Sequence, residues 1–159
     1  MSGNAKMLEF VSRCDDVDKL KTLISNARSR GATDLADAAL RTMISIRPAE
    51  QPGTVAHDLW RTIYAFEHIL SEERGRTTLL SRTRQKLARD GELKTLRDWA
   101  LGKTETDGFR MLLDRRMPEL TGEAIVLRHA EHFEPVVVEA ARKRLAGAGV
   151  DLGSLPDRI

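Results

Sequence analysis

Thiols are almost missing from this chain: Cys14 is the only cysteine in 159 residues, so no internal disulfide can form and no thiolate metal framework is possible. Cys14 also stands beside Asp15 and Asp16, without the cationic neighbours that activate a nucleophilic thiol. Long apolar runs are missing too. The longest, such as Ala124 to Leu127 and Val136 to Val138, fall far short of the roughly 20 residues of a membrane helix, and no membrane partner is expected. The opening MSGNAKMLEF has no apolar core of the kind a secretory signal carries. Together with the lone cysteine, this predicts a reducing, cytoplasmic location. Aromatic residues make up only 4% of the chain, and most stand at apolar-periodic positions. They read as core, which leaves few platforms for stacking single-stranded bases.

What is present is a soluble composition, 41% hydrophobic and 31% charged, with enough apolar material for a real core. Apolar residues recur at three- and four-residue spacing nearly throughout, which predicts an all-α fold of about seven to nine helices in a single domain over 1–147 with a loose tail over 148–159. Asp15 or Asp16 caps a first helix carrying Val17, Leu20, Leu23, Ile24 and Ala27; Thr33 or Asp34 caps a second that stops before Pro48. The two make an αα-hairpin over 15–46. The stretch RPAEQPGT is the clearest linker. Beyond it, Thr54 caps a central helix over 54–73, with Gly75 at its end. A basic, helix-turn-helix-like unit follows over 79–101, broken at Asp90-Gly91, and further helices occupy 107–147. Between 123 and 133 the Ile125-Val126 pair leaves a strand open, but the Thr121 cap favours helix.

Formal net charge is only +2, so its distribution matters more than its sum. From Arg74 to Arg97 there are eight cations against Asp90 and Glu92, a local net of +6 that leaves the rest of the chain at −4. On a helix, Leu80, Thr83, Arg84 and Leu87 share one side, whereas Arg82, Gln85, Lys86 and Arg89 form a polar, mostly cationic face. Arginine and glutamine reach base edges, and hydroxyls and backbone N–H groups at a helix start hold phosphate. The candidate nucleic-acid-binding set is therefore Arg74, Arg76, Thr77, Ser81, Arg82, Gln85, Lys86 and Arg89. The expected function is a non-catalytic DNA-binding module or accessory protein with duplex DNA as its partner. The alternative is a helical protein-interaction or assembly module with an acidic partner or a second copy of itself. The same charges also read as an ordinary solvated face, with Arg74 near Glu73 and Arg97 near Asp98.

Chemistry finds little purchase. His129 and His132, with Glu131 between them, invite a metal reading, but two histidines are too few ligands, and neither metal nor cofactor is expected. His57 and His68 lie about 16 Å apart along one helix and cannot share an ion; each histidine reads as a capping or surface residue. Glu67, Glu72 and Glu73 raise a remote nuclease reading, but their spacing is wrong for a shared Mg²⁺ and no catalytic residue is assigned.

Overall fold

The structure is a computed structural model describing residues 2–156, with the side chains of 2–4 excepted. Its described residues form nine α-helices and three short 3-10 turns, with no strand. The chain divides into two compact units, Met1–Ala49 and Glu50–Ile159, and the division falls within the RPAEQPGT linker.

The first unit holds α1 (Ser2–Arg13), α2 (Val17–Ser29) and α3 (Thr33–Ile46). Asp16 caps α2 by accepting from the Lys19 N–H. Neither Thr33 nor Asp34 caps α3: the cap position is Ala32, without a side-chain bond. Leu20, Ile24, Ala27, Ala36, Ala39, Leu40, Met43 and Ile44 close the α2–α3 core. Helix α1 is additional to the expected elements, and it buries Val11 while exposing Met7, Leu8 and Phe10. Phe10, read as core from the sequence, is thus half exposed at 49%.

The second unit holds α4 (Val55–Arg74), α5 (Ser81–Asp90), α6 (Glu92–Leu101), α7 (Asp107–Asp114), α8 (Gly122–Arg128) and α9 (Pro135–Gly147). Three threonines set its helix starts: Thr54, Thr106 and Thr121 accept from the backbone N–H of His57, Phe109 and Ala124. The Thr121 cap decides 122–128 as helix rather than strand, and Ile125 and Val126 enter the core from it. Gly75 ends α4 at φ +67° and Gly91 joins α5 to α6 at φ +84°, a region that costs a side-chain-bearing residue strain.

The core of this unit gathers Leu59 and Ile63 of α4, Leu87, Leu96, Ala100, Ile125, Val126, Val137 and Ala141. A second cluster forms around Phe109, Ala124 and Leu145. Ala148, Val150, Leu152 and Leu155, expected as a loose tail, pack against it. Gly108 and Gly122 are required by aromatic rings: a Cβ on Gly108 would stand 1.5 Å from the Phe66 ring, and one on Gly122 would stand 2.7 Å from Trp99.

Candidate nucleic-acid interface and buried charge networks

Helix α5 folds with the facial segregation its sequence dictates. Leu87 is buried, Thr83 and Arg84 are half buried, and Ser81, Arg82, Gln85 and Arg89 are exposed. The chain's own carboxylates, however, take up much of the cationic charge. Glu67, on α4 and only 4% exposed, accepts from Arg84 Nε and Nη2, both at 2.7 Å, and from the Leu80 N–H at 2.8 Å. Arg84 also lies 5.1 Å from the centroid of the Trp60 ring and 5.9 Å from that of Tyr64. The anion expected at the start of α5 is therefore supplied internally by Glu67. This accounts for the unassigned glutamate of the sequence reading without any Mg²⁺, and it withdraws the Leu80 N–H from phosphate. Thr78 is committed as well, its N–H donating to Ser71 Oγ.

Lys86 departs further from expectation. Its Nζ lies 2.6 Å from Asp98 Oδ2 and 3.0 Å from Asp90 Oδ2, so it clamps α5 onto α6 rather than facing outward. Its pKa is raised by Asp98 first and Asp90 second. Asp90 is held down at about 2, mainly by hydrogen bonds from Arg89 and then Lys86. Asp98 is lowered by Lys86 and Lys94. Arg89 meets Asp90 at 3.1 Å, and Arg97 lies 3.5 Å from Glu134. Of the eight cations between Arg74 and Arg97, Arg74, Arg76 and Arg82 alone have no ion pair among the described residues. All three are exposed, and all flank the α4–α5 turn with Thr77 and Ser81.

Two further networks escaped the sequence reading. Asp58, on the buried side of α4, receives His129 Nε2 at 2.7 Å and Arg128 Nε at 3.3 Å. Arg61 Nη1 stands 3.6 Å from the other carboxylate oxygen. Burial pushes both guanidiniums below their ordinary pKa, with Asp58 opposing. Arg61 is 1% exposed, and its Nε and Nη1 have no hydrogen-bond partner among the described residues. Elsewhere Arg144 Nη1 donates to Glu123 at 3.1 Å and to the Trp99 carbonyl at 2.7 Å, while its Nη2 reaches the Gly102 carbonyl. Burial raises the Glu123 pKa, with a hydrogen bond from its own backbone and the pairing to Arg144 opposing. The available signal was positional: Asp58 and Thr62 stand on the same i, i+4, i+7 stripe as Ala65 and Ile69, where a charge needs a buried partner.

The remaining candidates also have structural duties. Glu72 and Glu73 both meet Arg115, at 3.5 and 3.6 Å. His57 is buried at the start of α4 rather than at the surface, and His68 faces Glu72 at 3.6 Å. His129 likewise belongs to the Asp58 network. No helix among the described residues is long and apolar enough to cross a membrane. The chain matches no known family, no curated protein and no solved structure.

Proposed function

We propose that the chain is a non-catalytic nucleic-acid-binding module that meets the backbone of duplex DNA along the outer edge of the α4–α5 turn. The observation that carries this reading is the partition of charge. Five cations of the basic segment are absorbed by Glu67, Asp90, Asp98 and Glu134, while Arg74, Arg76 and Arg82 stand exposed around one turn with no ion pair among the described residues. Thr77 and Ser81 add hydroxyls beside them, and Gln85 extends the exposed edge along α5. In this reading α5 and α6 work as a helix-turn-helix-like unit, with Arg82 and Gln85 nearest the helix start. Lys86 contributes by fixing α5 against α6, and Arg89 is a minor contact because Asp90 shares its charge.

Three phosphate contacts give a salt slope of about −2.7 in log affinity against log salt, well below what eight free cations would produce. The test is a titration of the full chain with a generic duplex at two salt concentrations, comparing wild type with the Arg74→Ala, Arg76→Ala, Arg82→Ala triple variant. The triple variant should lose nearly all of the slope while keeping its helical circular dichroism. Absence of binding at low salt, or equal affinity of both proteins, removes the reading. A second reading, a helical protein-interaction module, is favoured by α1. Its Met7 and Phe10, with Leu23, Ala27 and Leu35, line an open groove of about 790 Å³ rimmed by charge. A salt-insensitive complex abolished by Phe10→Glu would favour it instead.

A further inference from the structure

Counting histidines along the sequence leaves His129 and His132 short of a metal site; the fold brings the Glu131 carboxylate to them as a third donor. The chain after α8 turns through a single 3-10 turn, Ala130–His132, closed by the His132 N–H donating to the His129 carbonyl at 2.9 Å. Residues three apart eclipse one another in such a turn, and the two imidazole centroids lie 6.3 Å apart. Glu131 comes round beside them, its Oε1 3.7 Å from His132 Nε2. One donor atom from each of His129, Glu131 and His132 lies within 4.8 Å of the others.

The second observation is independent of that cluster. His129 Nε2 lies 2.7 Å from the carboxylate of buried Asp58. With that nitrogen donating to Asp58, the ring's remaining lone pair is on Nδ1, and a carboxylate behind a ligating imidazole fixes its tautomer and orientation. The charge balance also suits a cation. Asp58 and Glu119 offset the neighbouring Arg61 and Arg128, so the Glu131 carboxylate is left to meet a cation.

We infer that His129, Glu131 and His132 form a binding site for one divalent transition-metal cation of the zinc class, with Asp58 as the positioning residue behind His129. Two imidazoles and a carboxylate are a donor set that zinc accepts, and the fourth position of a tetrahedral ion is left for water. Donors bound at about 2.0 to 2.1 Å from one ion lie no more than about 4.2 Å apart, so the three side chains, with donor atoms within 4.8 Å of one another, have to draw together on an ion. The residues that must move are Glu131 and His132, whose side chains are 69% and 52% exposed. His129 is already held.

The experiment is a Zn²⁺ titration of the metal-stripped full chain at neutral pH, in competition with a chromophoric chelator. One Zn²⁺ per chain is expected. His132→Ala and Glu131→Gln alter exposed side chains, so they should leave the circular dichroism unchanged while weakening binding at least about tenfold. Asp58→Asn should weaken it by about 10- to 100-fold. X-ray absorption of the zinc-loaded wild type gives a readout that does not depend on any variant folding, and a shell of two imidazoles with light oxygen donors is expected. Failure to bind stoichiometrically, affinity unchanged in His132→Ala, or a shell without imidazole overturns the site. Unchanged affinity in a folded Asp58→Asn protein overturns the role of Asp58.

Discussion

Glu67 and Arg84 offer the sharpest test of how the second unit is held together, because removing either partner orphans the other in a different environment. Glu67 is 4% exposed, and its carboxylate is met by two guanidinium hydrogen bonds at 2.7 Å and one backbone N–H at 2.8 Å. Breaking a buried ion pair from one side costs about 3 to 5 kcal/mol. The Arg84 side chain is 33% exposed, so water recovers part of the loss when Arg84 is the orphan. Glu67→Gln should therefore cost about 2 to 3 kcal/mol. Arg84→Met, which strands the carboxylate and also removes the cation over Trp60, should cost about 3 to 5 kcal/mol. Urea unfolding of the two single variants and the double variant, at unchanged m, gives the coupling directly, and about 1 to 3 kcal/mol is expected for groups in one network. Arg82→Ala, on the exposed side of the same helix, should stay within about 0.5 kcal/mol. If Glu67→Gln were as mild as Arg82→Ala, the pair would be an ornament of the surface and the cations of α5 would be free for other partners after all.

Other outcomes follow from single contacts. Gly108→Ala drives a methyl to within 1.5 Å of the Phe66 ring and should lower stability by at least about 1 to 3 kcal/mol; Phe66→Leu in the same chain should recover part of it, as read by thermal melts. Acid should separate two kinds of carboxylate. Asp90 and Asp98 have lowered pKa values, so their contribution is complete above the ordinary aspartate value of 3.8 and fades at lower pH, for Asp90 as it falls toward about 2. Glu123 has the opposite sign: its pKa is raised by burial, so its ionisation disfavours the fold as pH climbs past the ordinary 4.5. Unfolding at pH 3 and pH 6 should show a smaller acid loss in Asp90→Asn and a smaller loss on going upward in Glu123→Gln.

The helices could be read because their signals are local. Asp16, Thr54, Thr106 and Thr121 each fill their cap through a bond from a backbone N–H only three residues away, and apolar spacing is a property of one turn. Helix α1 was missed for the complementary reason: its apolar residues Met7, Leu8 and Phe10 are largely exposed, and its core contribution reduces to Val11. The site was half legible. The facial split of α5 follows from its own sequence, but Glu67, the partner of Arg84, and Asp98, one of two partners of Lys86, lie 17 and 12 residues away, and a charge count along a segment has no access to acids on other helices. Asp58 and His129 are 71 residues apart; no spacing rule joins them. Glu131 is legible beside the two histidines from the sequence, whereas the 3-10 turn that carries them and the Asp58 carboxylate behind His129 are not local signals.

Arg144 gives the second unit a chronology. Its guanidinium closes the carbonyls of Trp99 and Gly102 at the finish of α6, 45 and 42 residues upstream. The Trp99 carbonyl already accepts from the Gly102 N–H, but the guanidinium bonds to both carbonyls wait until α9 has been made, an interval on the order of several seconds at ordinary elongation rates. Until then α6 has an open end and Glu123 has no counter-charge. The clamp between α5 and α6, by contrast, is complete once Asp98 exists. A nascent chain halted short of Arg144 would therefore carry a finished front half and an unsealed back half, and it is at that point that a chaperone or a protease would find its grip.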